Sequence, residues 1–201
     1  MSSFNFWKKK KTNRIDNGRF YASGINNHGY TPQGLRWHSK HSQEVRFDQL
    51  LSLLPHDAQS IVDAGCGFGD LYGYLRSQGW RSLDYVGLDS LQIMVDEALR
   101  RTQVPIYHCD ILLDPLPESE FYLCSGALNI LTHDAAFLFI ERCFRVSSRG
   151  MIFNFLEGND KSKTFNYLLK SEIERLGEKL GARVVFRRDY YESDCTAAFY
   201  K

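Results

Sequence analysis

Three glycines at alternate positions, Gly65, Gly67 and Gly69, mark the part of this chain best suited to bind a ligand. The apolar residues 61–64 before them predict a buried strand, and residues 70–78 after them predict a helix. Glycine adopts backbone conformations closed to residues with a Cβ and leaves the main-chain amides open to close approach. The segment therefore predicts a loop that holds a nucleotide-sized ligand.

A carboxylate follows this loop at the distance expected for contact with a ribose. Asp89 ends the strand predicted at residues 84–89 and lies 20 residues beyond Gly69. An ionised carboxylate accepts hydrogen bonds from two neighbouring hydroxyls and disfavours a phosphate by charge repulsion. The alternative role is a cap for the helix predicted from Leu91.

A second aspartate, Asp110, follows the strand predicted at residues 105–109. It is placed to accept a hydrogen bond from an adenine amino group, with Ile111 packed on the ring. Aspartate is also common in turns, so the assignment depends on the other two sites.

Strand and helix patterns alternate along the chain and predict an α/β fold built on a mostly parallel sheet. The predicted strands are 60–64, 84–89, 105–109, 121–124, 151–155, 184–189 and 196–200, and the predicted helices are 43–54, 70–78, 91–102, 135–145 and 165–180. Only residues 190–195 separate the last two strands, so these must be antiparallel, because a parallel crossover needs a dozen or more residues.

A dinucleotide-binding domain is one of the two nucleotide-binding folds that contain such a glycine loop. A dinucleotide-binding domain has a third small residue where this chain has Asp70, and a second mononucleotide-binding half. The sequence therefore makes a nicotinamide-dependent oxidoreductase the less favoured alternative.

Composition sets limits on the class of protein. The 201 residues, 43% of them hydrophobic, suit one compact domain, and the formal net charge of +1 requires neither a nucleic acid nor an anionic membrane as partner. Five scattered cysteines without paired spacing predict reduced thiols and a cytoplasmic protein, and no metal site is predicted. No run is apolar enough to predict a membrane span.

The N-terminal residues 1–42 differ from the rest of the chain. They show little periodicity and include a lysine run at residues 8–11, which is more often a solvated tail than a phosphate contact. We expect a partly ordered arm or lid over 1–42 and a ligand-binding domain over 43–201.

Four segments resemble successive motifs of the class I S-adenosylmethionine-dependent methyltransferases. They are residues 62–69, 86–90, 109–111 and 123–129, and the resemblance runs from about residue 60 to the C-terminus. It implies a Rossmann-like three-layer α/β/α sandwich with a seven-stranded, mostly parallel sheet, an antiparallel last strand and the order 3-2-1-4-5-7-6.

The resemblance also implies ligand contacts for particular residues. In that family the glycine loop lies under the methionine portion of the cofactor, strand two binds the ribose, the motif after strand three binds adenine, and strand four faces the methyl group. An arginine of the first helix can bind the methionine carboxylate, with a surface ion pair as the alternative role. The implied contacts in this chain are Asp63, Ala64, Gly65, Gly67, Gly69, Asp89, Ser90, Leu91, Asp110, Ile111, Ser125, Gly126 and Arg46.

The acceptor side is less defined. Nucleic-acid amino methyltransferases of this class have Asn or Asp, two prolines and an aromatic residue after strand four, whereas this chain has Ser125, Gly126 and Ala127. A small-molecule acceptor is therefore favoured, and RNA remains an alternative. The candidate catalytic residues are His133 and Asn129, although a cap is the simpler role for Asn129.

Aromatic side chains of the chain are either acceptor contacts or core residues. Those named for the acceptor cavity are Trp37, Tyr30, Phe137 and Tyr167. The function predicted from the sequence is an S-adenosylmethionine-dependent methyltransferase. A non-catalytic regulatory protein that binds the same cofactor is the alternative.

Overall fold

The computed structural model describes residues 11–159 and 162–201. Its centre is an eight-stranded sheet in which the middle strands are buried on both faces. The strands are β1 Ser60–Ala64, β2 Asp84–Asp89, β3 Ile106–His108, β4 Ser119–Cys124, β5 Ser147–Glu157, β6 Tyr167–Leu168, β7 Arg183–Arg187 and β8 Asp194–Tyr200. Near-continuous apolar strands are what burial on both faces requires.

The strand order is β3-β2-β1-β4-β5-β8-β7, with β6 paired to the end of β5. Only β8 runs antiparallel to its neighbours, against β5 on one side and β7 on the other. This confirms the predicted Rossmann-like fold, because β8 and β7 correspond to the predicted strands seven and six. The two-residue β6 is an additional strand.

Among the described residues, six α-helices and one short 3₁₀-helix connect the strands and cover the sheet. The α-helices are α1 Asn17–His28, α2 Lys40–Leu53, α3 Asp70–Ser77, α4 Gln92–Thr102, α5 His133–Val146 and α6 Lys170–Lys179, and the 3₁₀-helix is Ala127–Ile130. Helix α2 begins at a capping box formed by Ser39 and Ser42, and it buries Phe47, Leu50 and Leu53 against the sheet.

The helix predicted over residues 165–180 is wrong at its start. Residues 167–168 form β6 beside β5, and α6 begins only at Lys170. The side chain of Glu172 accepts a hydrogen bond from the Leu169 amide at 2.9 Å and so fixes the helix start. The apolar spacing of residues 165–169 fits either state, and the free edge of β5 decides in favour of a strand.

The N-terminal segment, residues 11–39, lies against the domain. Asn13 forms an antiparallel bridge with Leu131, and the Arg14 amide donates to the Ile130 carbonyl at 2.9 Å. Helix α1 follows, capped by the Asp16 side chain. Of the lysine run, Lys8, Lys9 and Lys10 lie outside the described residues.

The core is continuous on both faces of the sheet, with α5 and α6 on one side and α2, α3 and α4 on the other. All five cysteines are buried and free. Within residues 11–159 and 162–201, no helix combines the length and the apolar character that a bilayer crossing demands.

Candidate functional site

A cavity of about 350 Å³ opens at the carboxyl ends of the parallel strands. Parallel sheets of this kind bind ligands there, at the point where the strand order reverses between β1 and β4. The volume lies within the range of small-molecule pockets, roughly 300–1,000 Å³. The fold thus provides a site at the edge where the sequence predicted one.

The glycine loop forms the floor of this cavity. Gly65, Gly67 and Gly69 all have positive φ angles, of 82°, 54° and 79°. A Cβ on Gly65 would lie 2.5 Å from the Ala127 side chain, and one on Gly69 would lie 2.6 Å from Thr102. Glycine is therefore required at these positions both by conformation and by space.

Asp89 connects the end of β2 to this loop. Its Oδ2 accepts a hydrogen bond from the Gly67 amide at 3.0 Å, and its Oδ1 accepts one from the Leu91 amide at 3.0 Å. Burial raises the pKa of Asp89, and the amide bonds oppose that rise. Each carboxylate oxygen has a second lone pair, so the side chain can still accept from a ligand in the cavity that it lines.

Asp63, at the end of β1, is a second carboxyl on the lining. It is only 2% exposed, and its Oδ2 accepts from the Tyr85 hydroxyl at 2.7 Å. Burial raises the pKa of Asp63 to about 7, and the neighbouring carboxylates Asp89 and Asp70 add to the rise. Asp63 therefore changes charge close to neutral pH.

A third edge of the cavity follows β3. Asp110 Oδ1 accepts from the Leu112 amide at 2.8 Å, as an aspartate in a turn does, and the residue also lines the cavity with Ile111. Asp110 can fill both the turn role and the ligand role, because the hydrogen bond of the turn uses only one oxygen of its carboxylate. Ser90 and Leu91 complete this side of the lining.

Ser125 and Gly126 directly follow the end of β4 and line the cavity. The Ser125 hydroxyl donates to Asn154 Oδ1 at 2.8 Å, and the buried Asn154 amide donates to Thr196 Oγ1 at 2.6 Å. Gly126 has a φ of 85°, and a Cβ there would lie 2.9 Å from the Trp37 ring. A hydrogen-bonded chain across β4, β5 and β8 thus fixes this part of the wall.

Arg46 reaches the cavity from α2 but already has a protein partner. Its Nε donates to Asp194 Oδ1 at 2.8 Å, and its Nη2 contacts the other oxygen of that carboxylate. The guanidinium lies between the rings of Trp37 and Tyr191, 4.9 and 5.0 Å from their centroids. The alternative role predicted for Arg46 was an ion pair on the surface. The ion pair that it forms with Asp194 is buried instead.

The N-terminal segment supplies the remaining wall. Tyr21, Leu35 and Trp37 line the cavity, and Leu35 lies 3.2 Å from where a Cβ on Gly67 would be. Burial raises the pKa of the Tyr21 hydroxyl, and Asp89 contributes further to the rise. Arg36 fixes the segment by donating from Nε and Nη2 to the Phe20 carbonyl at 3.2 and 2.8 Å.

Most of the predicted site residues lie on this one lining, and three do not. Ala64 is fully buried, Gly69 faces Thr102, and His133 lies elsewhere, with its ring stacked on Phe137 and its Nε2 3.3 Å from Glu172 Oε1. Asn129 lines the cavity, as do Trp37 and Tyr167, whereas Tyr30 and Phe137 do not. The ligand contacts themselves stay predictions.

Several lining residues have no periodic pattern that would have predicted them. Asn17, Phe20 and Leu35 belong to the N-terminal segment, where aromatic and polar residues alternate irregularly. Leu112 follows Asp110 and Ile111 directly, and its place two residues beyond the aspartate was the only signal available.

Residues 61–150 match the family model described as a methyltransferase domain. This chain has the class I methyltransferase fold. The resemblance drawn from the sequence motifs is therefore confirmed for the fold and for this domain. A comparison with curated proteins found no match.

Solved structures with the class I methyltransferase fold are similar over most of this chain. Magnesium protoporphyrin IX methyltransferase from Synechocystis, solved with bound S-adenosylmethionine, is 16% identical over 100% of this chain and 91% of its own, with a TM-score of 0.61. Human N-acetylserotonin methyltransferase in complex with S-adenosylmethionine is 15% identical over 98% of this chain and 64% of its own, with a TM-score of 0.69. A small-RNA methyltransferase is 18% identical over 80% of this chain and 25% of its own, with a TM-score of 0.62.

Proposed function

We propose that this protein binds S-adenosylmethionine and transfers its methyl group to a small-molecule acceptor. The observation that carries the proposal is the Asp89 carboxylate, held by the Gly67 and Leu91 amides on the wall of a cavity of ligand size. The family model and the bound S-adenosylmethionine of two similar structures support the same donor.

The residues present fit this donor. Three carboxyl groups, Asp63, Asp89 and Asp110, come from the ends of three adjacent strands and line one half of the cavity. Carboxylates favour a ligand that carries positive charge and hydroxyl donors, and S-adenosylmethionine carries both. We infer that Asp89 accepts from the ribose hydroxyls, that Asp110 lies by the adenine and that Asp63 faces the methionine portion.

The donor, when bound, supplies a methyl group on a positively charged sulfur that is ready for transfer. The protein then needs mainly to hold donor and acceptor in line, which can account for much of the rate. Ser125 and Gly126 directly follow β4, and the hydrogen bonds through Asn154 and Thr196 fix Ser125 in place. We infer that transfer takes place beside these residues.

We propose that the N-terminal segment acts as a lid. Leu35 covers the Gly67 turn and Trp37 covers Gly126, so a bound donor is enclosed between the segment and the glycine loop. Enclosure excludes water and strengthens the electrostatic contacts inside the site. Arg46 contributes by packing on Trp37 and so holding the segment closed.

A small acceptor is favoured over a nucleic acid. The similar structures include enzymes named for a porphyrin, for N-acetylserotonin and for small RNA, so the fold by itself does not choose. The lid, however, narrows the approach to the site, and the segment after β4 differs from that of the base-modifying enzymes.

Thermal melting with S-adenosylmethionine, S-adenosylhomocysteine and NAD tests the donor. A ligand that binds the folded state raises the melting temperature by mass action. We expect both adenosyl compounds to raise it and NAD to leave it unchanged, since the antiparallel β8 departs from the dinucleotide-binding order. A shift with NAD alone would favour an oxidoreductase. Donor binding without methyl transfer to any acceptor in a broad panel would favour a regulatory role.

A further inference from the structure

The cavity has two halves of different chemistry. The aspartates lie at the ends of β1, β2 and β3, whereas the ends of β4, β5 and β6 lie on the other side of the strand-order reversal. We call the second side the amide half and define it by the lining side chains Asn17, Phe20, Asn129, Phe139, Phe165 and Tyr167. None of these six side chains is charged at neutral pH.

The charged groups elsewhere on this side already have partners or lie at the rim. Arg46 is paired with Asp194, and Arg36 donates twice to the Phe20 carbonyl. Glu192 and His38 are exposed, so they lie at the mouth of the cavity rather than within it. An ionic acceptor would therefore find no free counter-charge in the amide half among the described residues.

Backbone pairing holds the N-terminal wall of the amide half in place. The Thr132 amide donates to the Thr12 carbonyl at 2.7 Å, next to the Asn13–Leu131 bridge. The Phe20 ring also contacts the Phe165 ring edge to face, with the ring centroids 6.5 Å apart. Aromatic surfaces held in this way suit a flat apolar body of small size.

Two carboxamides in this half have oxygens without a hydrogen-bond partner. Asn17 Oδ1 and Asn129 Oδ1 are both buried, and neither accepts a hydrogen bond within the described residues. The Asn129 backbone is fixed, because its amide donates to Gly126 at 3.1 Å and its carbonyl accepts from Asn166 at 2.7 Å. An unpaired buried acceptor is costly, and a ligand that donates removes the cost.

We propose that the amide half binds a neutral aromatic amine as the methyl acceptor, with Asn17 and Asn129 accepting from its N–H groups. This assignment rests on the proposed function, which supplies the donor. An amino group has two hydrogens for two acceptors, whereas a hydroxyl has one. An alkylamine is cationic at neutral pH and would lack a carboxylate in this half, while an aromatic amine is neutral.

The need to remove a proton from a hydroxyl before methyl transfer also favours an amine as the acceptor. The six side chains of the amide half include no His, Asp, Glu, Lys or Cys that could first remove a proton from a hydroxyl, and the His38 and Glu192 side chains of the lining are exposed at the mouth of the cavity. A neutral amine needs no such step, because its nitrogen lone pair forms the new N–C bond while the S–C electron pair stays on sulfur as a neutral thioether. The methylated nitrogen then releases its extra proton to water.

Matched aromatic probes test the assignment on the full chain loaded with S-adenosylhomocysteine. The probes are aniline, phenol, benzoate and benzylamine, with 1-aminonaphthalene, 1-naphthol, 1-naphthoate and 1-(aminomethyl)naphthalene as the larger set. Calorimetry gives the affinity of each. We expect the aromatic amine of at least one ring size to bind about tenfold or more tightly than its phenol, acid and alkylamine counterparts.

Variants of Asn129 and Asn17 test where the aromatic amine binds. Asn129→Ala and Asn17→Ala should each weaken aromatic amine binding about three- to tenfold and leave S-adenosylhomocysteine binding unchanged, with Asn27→Ala on the exposed side of α1 as the matched control. Asn129→Asp should shift the preference toward benzylamine or its naphthalene counterpart, because it adds the missing carboxylate. Melting temperatures confirm that each variant is folded.

The outcomes separate this assignment from the proposed function. If the wild-type chain does not bind S-adenosylhomocysteine, the proposed function is overturned and the assignment with it. If it binds, but the amines of both ring sizes bind no better than the acids or phenols, the assignment alone is overturned. The same conclusion follows if both alanine variants bind the amine as the wild type does.

Discussion

Nε of Arg46 lies 2.8 Å from Oδ1 of Asp194, so the first core helix and the last strand are joined by a buried ion pair next to the cavity. The two side chains are only 10% and 1% exposed. Removing one partner of such a pair leaves a buried charge without compensation. The consequences of this contact are therefore expected in stability as well as in binding.

Asp194→Ala should lower the free energy of unfolding by about 3–5 kcal/mol, because it leaves the Arg46 guanidinium buried and unpaired. Urea unfolding measures the change. The pair of Arg188 with Glu157, whose side chains are 48% and 20% exposed, is the control, and Glu157→Gln should cost less than about 1 kcal/mol. Equal losses in the two variants would contradict a special role for the buried pair.

Asp89→Ala should weaken donor affinity by about 1.5–3 kcal/mol, because it removes the carboxylate that we propose accepts from the ribose hydroxyls. Calorimetry with S-adenosylhomocysteine checks this. Asp84→Ala, at the exposed opposite end of the same strand, should bind normally. Since Asp89 also accepts from the Gly67 amide, melting temperatures must show that the loop survives. Unchanged affinity in folded Asp89→Ala would remove this residue from the site.

Asp63 should make stability depend on pH. Its pKa is about 7 in the folded protein, against about 3.9 for an unperturbed aspartate. The unfolded chain loses this proton first as pH rises, so the stabilising contribution is complete below about pH 4 and is lost as pH rises through 7. Each pH unit between these values costs about 1.4 kcal/mol.

Asp63→Asn removes that titration and provides the measurement. Between pH 5 and pH 7, the free energy of unfolding of the wild type should fall relative to the variant by about 2 kcal/mol. Urea unfolding at the two pH values gives both numbers. Parallel pH profiles for the two proteins would show that Asp63 does not have a raised pKa.

Two neighbouring glycines should respond in opposite ways to alanine. Gly69 has a φ of 79° and faces Thr102 at 2.6 Å, so Gly69→Ala should destabilise the protein by about 1–3 kcal/mol. Gly73 lies within α3 with no atom within 4 Å of its Cβ position, so Gly73→Ala should stabilise by about 0.5–1 kcal/mol. Thermal or urea unfolding distinguishes the signs, and the same sign for both would refute the strain assigned to Gly69.

Trp37→Ala should speed the release of S-adenosylhomocysteine about tenfold, because the ring covers Gly126 and packs on Arg46. Stopped-flow displacement measures the rate. Trp80→Ala is the control, since Trp80 stacks on His56 away from the cavity lining. Equal release rates in the wild type and Trp37→Ala would argue against the lid.

Strong local signals made the sheet and the aspartate-lined side of the cavity predictable. Strands 60–64 and 84–89 were predicted with the observed bounds, because apolar runs beside a glycine turn leave few alternatives. Asp89 and Asp110 were located for the same reason, since a residue that ends a parallel strand lies at the carboxyl edge. The predicted sheet order rested on the family resemblance, and the structure confirms it.

The acceptor side was less predictable because it depends on contacts between distant segments. Helix α1 has no strong apolar period, and it is positioned by the pairing of residues 12–14 with residues 130–132. His133 follows β4 closely in sequence, yet it starts α5 on the outer surface beside Glu172. Arg46 was placed near the cavity, but its partner is 148 residues away and no local pattern indicates Asp194.

The position of β8 in the sheet has a consequence for biosynthesis. Among the eight strands of the sheet, β8 is synthesised last, but it is inserted between β5 and β7 and supplies Asp194 to Arg46. A nascent chain in which residues 194–200 have not yet been made leaves one edge of β5 bare and the arginine uncompensated. Folding of this half of the molecule therefore waits for the synthesis of β8, and a variant that lacks this strand should be aggregation-prone rather than only less stable.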